Sequence, residues 1–386
     1  MFPDFNIYSA PLLVLVTQGV ILSVLLFLKA GRLKNRSYFL LGILLLITCY
    51  HRTTYTIGFM GWYDTYRNTK INYYLISFAL AVGPLIYMYI KSCVAKNSKF
   101  QKKESLHFIP VVLYVFFFVY LYIYDSLQPG FDKTANGVLR MEMELSDWFW
   151  ILLTTALALH LLVYLIASYK LYYSYRNSLV HLFSNTYKYE LNWFRNFLFL
   201  FSFLFVYDVL QSITDGFIFD LHWTQEWWYQ FFSILVVIYL GVKGYFTDLE
   251  SLPEAVLDTA TIHSNKEHSE VTHAARSFDE ELQTLKGLIA EENLFLNPNL
   301  SLRLLSQKSG YAPSQLSKII NIAAGQNFND FVNQYRVDHV KAELMKESND
   351  KFSILAIALD SGFNSKATFN RVFKKFTGKS PSSFRT

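Results

Sequence analysis

The chain has 386 residues, 52% of them hydrophobic and 18% aromatic, with 17% charged where about 25% is usual in soluble proteins. Its formal net charge of +5 conceals an uneven distribution along the chain. Two cysteines, Cys49 and Cys93, exclude a disulfide framework, and the length leaves room for two or three domains.

Seven apolar segments occupy residues 1–246. The first runs without a charge from Phe5 to Leu28, beyond the roughly 20 residues that a membrane-spanning helix needs. The others centre on 38–57, 71–90, 106–124, 148–169, 195–214 and 227–246. Pro84 in the third, INYYLISFALAVGPLIYMYI, predicts a kink that neighbouring helices of a bundle accommodate. The first segment has no cationic leader and is too long for a cleaved signal peptide, so it reads as a retained helix.

The loops predict an orientation. Lys29, Arg32, Lys34 and Arg36 follow the first segment, Lys91, Lys96, Lys99, Lys102 and Lys103 the third, and Lys170, Arg176, Lys188 and Arg195 the fifth. The alternate loops hold only Arg67, Lys70, Lys133 and Arg140. Cationic loops stay on the cytoplasmic side, so seven crossings place the N-terminus outside and everything past Lys243 in the cytoplasm. The expected location is a bacterial inner membrane. Trp62, Trp148, Trp223, Trp227 and Trp228 fall at outer ends, where indole rings favour the interface. Cys49 and Cys93 then lie on opposite sides and cannot pair.

Ionisable groups within these segments are the candidates for sensing: Arg52 beside His51, His160 in the fifth, and Asp208 in the sixth. Such groups face the bundle interior and find partners, which predicts an Arg52–Asp208 pair, with Arg52 snorkelling outward as the alternative.

Residues 247–276 are polar and read as a linker of about 30 Å root-mean-square span. His263, His268 and His273 recur every five residues, which turns each away from the last on a helix and argues against a metal site.

Residues 277–386 have a soluble composition. Asp279–Glu291 predicts a helix with Leu282, Leu285, Leu288 and Ile289 on one face. Two similar units follow. Leu305, Gly310, Tyr311, Leu316, Ile319, Ile320 and Gly325 are spaced like Ile357, Gly362, Phe363, Phe369, Val372, Phe373 and Gly378. This is an internal duplication of a short helix-turn-helix, about 301–322 and 353–376, joined by a helix of about 328–347. In the second unit Phe369, Val372, Phe373 and Phe376 form the core face, leaving Lys366, Asn370, Arg371 and Lys374 outward. Seven Lys or Arg against one acid, Asp360, between Lys351 and Thr386 suit phosphate binding. A connector of twenty residues spans about 30 Å. That would let both second helices enter successive major grooves, about 34 Å apart.

Here the chain resembles the DNA-binding domain of AraC/XylS-type transcription regulators. The resemblance rests on RLLSQKSGYAPSQLSKIIN, FNDFVNQYRVDHVKAEL and above all ILAIALDSGFNSKATFNRVFKKFTGKSPSSFR, and it covers about 110 residues. It implies base-facing positions at Ser314, Gln315, Ser317 and Lys318, and at Lys366, Thr368, Asn370 and Arg371. Lys374 and Lys375 suit phosphates, and Arg336 matches a structural arginine of the connecting helix. Ala312 departs from the pattern, standing where a capping serine is usual before Pro313.

The expected architecture is therefore all-α: a seven-helix membrane domain (1–246), the linker (247–276) and an AraC-type reader (277–386). No phosphate loop, HExxH, CxxC or nucleophile elbow is present, so neither an enzyme nor a cofactor or metal site is expected. The expected partners are double-stranded DNA, the lipid bilayer, a second copy of the chain, and an unspecified small molecule or membrane signal. The rival reading is a membrane receptor or transporter whose C-terminal domain docks a protein.

Overall fold

The structure, a computed structural model, describes residues 4–61, 76–94, 102–129, 131, 147–219, 221–249, 278–349 and 351–384. The chain is all-α: among the described residues there is no strand beyond an isolated bridge. The linker beyond Leu249, its three histidines, Trp62, Lys96, Lys99 and the cationic residues of the alternate loops lie outside the described residues. Backbone proximity divides the chain into two compact units, Met1–Tyr172 with Asn192–Leu252, and Tyr173–Leu191 with Pro253–Thr386.

The first unit holds α1 (Ser9–Leu33), α2 (Arg36–Phe59), α3 (Ala79–Val94), α4 (Ile109–Ser126), most of α5 (Asp147–Leu182), α6 (Asn192–Phe217) and α7 (Trp223–Phe246). Lys34, left-handed at φ 50°, ends α1, and the Asn35 side chain accepts from Ser37 N to start α2. A two-residue connection makes the pair an antiparallel hairpin. Small residues line its seam: Ser23 donates to the Gly42 carbonyl at 2.8 Å, and Gly19 faces Cys49. Close backbone approach of this kind is how helices associate where lipid supplies no hydrophobic drive. α7 packs against α1, α2 and α6, and α3 against α2.

Among the described residues, five helices are long and apolar enough to cross a membrane: Ser9–Leu33, Lys102–Ser126, Ile151–Leu182, Asn192–Phe217 and Thr224–Phe246. α2 has the length, but Arg36, His51, Arg52 and four threonines dilute its hydropathy. Those threonines satisfy their own hydroxyls by donating to carbonyls within the helix, Thr48 to Leu44 and Thr56 to Arg52. The described part of α3 is 16 residues and carries Pro84 inside the helix. The outer faces are oily, with Leu113, Phe116, Val163, Phe199 and Phe203 all more than 60% exposed. Water would penalise that surface, and hydrocarbon would not. On the cationic side, buried Glu104 accepts from Arg36 at 2.7 Å and pairs with Lys91 at 3.1 Å.

In the second unit α8 (Asp279–Glu291), α9 (Leu302–Ser309), α10 (Pro313–Lys318) and the first half of α11 (Phe328–Leu344) enclose one core, built on Leu285, Ile289, Leu305, Leu316, Ile319 and Val332. The second half of α11 encloses another with α12 (Ile354–Asp360) and α13 (Lys366–Thr377), built on Val337, Val340, Ala358, Phe369 and Phe373. One helix thus serves two cores, as the duplication requires. It ends at Leu344 rather than Glu347, so its 17 residues span about 25 Å.

Candidate nucleic-acid interface

Each reader is a short helix, a glycine turn and a second helix. Ser301 caps α9 by accepting from Leu304 N, and Ser353 caps α12 by accepting from Ala356 N. Gly310 (φ 76°) and Gly362 (φ 90°) make the turns in the left-handed region that side-chain-bearing residues resist. At Gly362 the neighbours also forbid a side chain: a Cβ there would sit 2.5 Å from the Phe295 carbonyl oxygen and 2.9 Å from Arg336 Nε.

The two second helices differ as their caps do. Ser365 caps α13 by accepting from Thr368 N, and α13 runs twelve residues to a left-handed Gly378. α10 has no side-chain cap at Ala312, lasts six residues and widens into a π turn over Ile319–Ala323.

Ser314, Gln315 and Lys318 lie exposed on α10, and Lys366, Asn370, Arg371 and Lys374 lie exposed on α13. No ion pair among the described residues engages Lys318, Lys366, Arg371 or Lys374. Lys366 and Asn370 fall in the N-terminal turns of α13, the part of a recognition helix that meets base edges.

Three expected contacts sit elsewhere. Ser317 is 3% exposed and accepts from Asn321 Nδ2, because it follows Leu316 on the core-facing side of a very short helix. Thr368 is 9% exposed and is spent on the cap, accepting from the Ser365 hydroxyl at 3.0 Å. Lys375 is exposed but turns toward Asp330 at the start of α11, with Nζ 2.6 Å from Oδ1. An ion pair so open to solvent is worth about 0–1 kcal/mol, little enough for a phosphate to compete with it.

The feature hardest to read from sequence is the surroundings of Arg336. Its side chain is 1% exposed at the point where the two cores meet. All five of its N–H donors find acceptors. Nε donates to the Phe295 carbonyl at 2.7 Å. Nη1 donates to the Ser184 carbonyl at 3.2 Å and to Asn333 Oδ1 at 3.3 Å. Nη2 donates to Ser184 Oγ at 2.9 Å and to the Asn297 carbonyl at 2.8 Å. Burial lowers its pKa to about 9, which leaves the charge in place at neutral pH. A buried cation held by neutral acceptors depends on completing that set. At the far end of α11, Glu343 sits below the usual carboxylate range, chiefly through its hydrogen bond from Lys346, which with a further one from Asn349 outweighs the opposing cost of burial.

In the first unit, Arg52 lies over the Tyr229 ring at 5.3 Å, and Asp208 interacts with the Tyr229 side chain and electrostatically with Arg52. The structure thus gathers Arg52 and Asp208 about one tyrosine, and among the described residues they form no direct ion pair. His160 is not part of this group: its ring packs 5.0 Å from Tyr164, with Nε2 buried and without a hydrogen bond. Trp148 and Trp228 are exposed, whereas Trp227 is packed and donates its indole N–H to the Tyr8 carbonyl at 2.8 Å.

A family model described as a helix-turn-helix domain matches residues 305–386. Uncharacterized HTH-type transcriptional regulators of Staphylococcus aureus strains COL and MRSA252 are each 38% identical to this chain over 92 residues, 24% of its length. The chain spans 12% of the length of those relatives. The probable transcription factor PqrA of Proteus vulgaris is 34% identical over 95 residues, 25% of this chain and 75% of that protein. No solved structure matches.

Proposed function

The chain belongs to the AraC/XylS-type helix-turn-helix transcription regulators, and we propose that it is one embedded in a membrane, converting a membrane or envelope cue into promoter binding. Residues 1–246 are the membrane domain with seven crossings and an outer N-terminus, 247–276 the linker, and 277–386 the cytoplasmic reader. The observation that carries this reading is the unpaired face of α13, where Lys366, Asn370, Arg371 and Lys374 stand together on a rigid, capped helix.

Lys366, Asn370 and Arg371 read bases, with Ser314, Gln315 and Lys318 supplementing them from the weaker first reader. Lys374 and Lys375 hold phosphates, contacts that position the protein without carrying sequence information. Asp208 and Arg52 at Tyr229 are the sensing group. A regulator of this kind uses DNA, lipid and a second copy of itself as partners, and tethering to a membrane raises the effective concentration for pairing. We read no catalytic role in it.

Residues 277–386 alone are expected to bind selected DNA with steep salt dependence. Arg371→Ala should weaken binding by about 1–3 kcal/mol and blur the preferred site, whereas Lys374→Ala should lower the salt slope by about one and leave the preference intact. Salt-insensitive binding, or none at low salt, would favour a domain that docks a protein.

A further inference from the structure

The turn after α5 is built into the second unit. Leu182 packs on the first core, and Phe183 pairs with Ser301 as an antiparallel bridge. Ser184 is 1% exposed; its N–H donates to the Leu300 carbonyl at 3.1 Å and its hydroxyl to the same oxygen at 2.7 Å. Asn329 Nδ2 donates to the carbonyls of Ser184, at 2.8 Å, and Phe183, at 3.2 Å. The turn is also braced from within. Phe183 packs on Tyr189 at 4.7 Å, Tyr175 donates to the Tyr189 carbonyl, and Glu190 accepts from Thr186 and pairs with Arg176.

What it touches is specific. Two of the five Arg336 hydrogen bonds end on Ser184. Two more end on Phe295 and Asn297 of the first half. The same guanidinium lies against Gly362 and 6.0 Å over the Phe363 ring of the second half. Ser184 therefore completes a polar joint between the two readers. It leaves both recognition faces exposed, so its effect is on their mutual angle and not on access to them.

We propose that residues 183–191 are an intramolecular docking element for this joint, holding the two recognition helices at the angle needed to read both halves of a site together. If the turn undocks, two donors of a buried cation lose their acceptors, the Ser184 carbonyl and hydroxyl, and the joint must open or take water to satisfy them. The partner surface is the one formed by Asn329, Arg336 and Leu300–Ser301. Because α5 runs directly into the turn, a shift of α5 reaches the joint without passing through residues 247–276.

The inference rests on the regulator reading, and one experiment separates the two. The full chain in lipid nanodiscs is tested on DNA selected for binding to it, using each site whole and with one half randomised. Ser184→Pro, which removes both the N–H and the hydroxyl, should expose the remaining amides of the turn, those of Phe183 and Tyr189, to exchange. It should lower whole-site affinity about tenfold while leaving half-site affinity within about twofold. An unchanged ratio with the turn undocked would overturn the joint's role, and a fast-exchanging Ser184 amide in the unaltered chain would overturn the docking.

If Ser184→Pro fails to fold, Phe183→Cys with Ser301→Cys decides the matter. Residues opposite in such a bridge lie about 4.5–5.5 Å apart at Cα, within disulfide range, and the native cysteines are buried. Oxidation should proceed and preserve the whole-site preference; failure to oxidise, or loss of that preference when locked, would overturn the proposal. No specific binding by the unaltered chain would instead overturn the regulator reading, with amide exchange still deciding the docking.

Discussion

Gly362→Ala tests the claim that the joint between the readers is packed backbone against backbone. Two costs combine. The left-handed φ of 90° costs a side-chain-bearing residue about 1–2 kcal/mol. The new methyl would also meet the Phe295 oxygen at 2.5 Å, Arg336 Nε at 2.9 Å and the Leu296 oxygen at 3.0 Å. Two of these are backbone atoms that cannot swing aside, and overpacking of this kind costs about 1–3 kcal/mol. The sum is about 2–5 kcal/mol, a large share of the roughly 5–15 kcal/mol that holds a domain together.

Gly310→Ala is the internal control. Its φ is 76°, yet nothing lies within 4 Å of the added methyl, so only the strain of about 1–2 kcal/mol applies. Urea unfolding of the full chain in lipid nanodiscs, followed by amide exchange within residues 278–384, measures both, with an m-value of about 1–3 kcal/mol/M converting midpoint shifts to free energies. Gly362→Ala should cost about twice as much as Gly310→Ala or more. Equal losses would refute the steric half of the reasoning and reduce Gly362 to an ordinary turn glycine.

Further outcomes follow from the same geometry. Ser365→Ala should cost about 1 kcal/mol by leaving the α13 N-terminus uncapped, and Ala312→Ser should return a similar amount to α10, both read from the same unfolding curves. Glu343 has a folded-state pKa below its unfolded value, so its contribution is present above the usual glutamate range and fades as pH falls through the lowered value; Glu343→Gln should remove that part of the acid sensitivity. Tyr229→Phe should separate Asp208 from Arg52 and change the reporter output of the full chain at equal abundance, while leaving the chain's affinity for its selected DNA in detergent unchanged. An unaltered output would dismiss that trio as the sensing group.

Much of the second unit was legible because its signals are local. The apolar spacing of Leu282, Leu285 and Ile289 marked α8 to the residue, and Ser353, Ser365 and the turn glycines mark helix ends by chemistry that acts within four positions. What the sequence does not make legible is long-range or set by length. Ser317 counts as outward only if α10 continues as an α-helix, and it widens into a π turn within two residues. Lys375 is drawn to Asp330, forty-five positions away, and Ser184 to Arg336, across 152; no periodicity announces either. In the first unit, apolar runs located the helices well. The Tyr229 that gathers Arg52 and Asp208 is one tyrosine among 27, with nothing in its own segment to single it out.

The central claim is that a protein held in a membrane reads specific DNA through α13. The most direct measurement is a genome-wide map of crosslinked DNA recovered from the membrane fraction, comparing the full chain with its Arg371→Ala variant at equal abundance. Discrete sites sharing a common sequence, lost or blurred in the variant, are the predicted result. Membrane-fraction protein that recovers no discrete sites, or the same sites with and without Arg371, would contradict it.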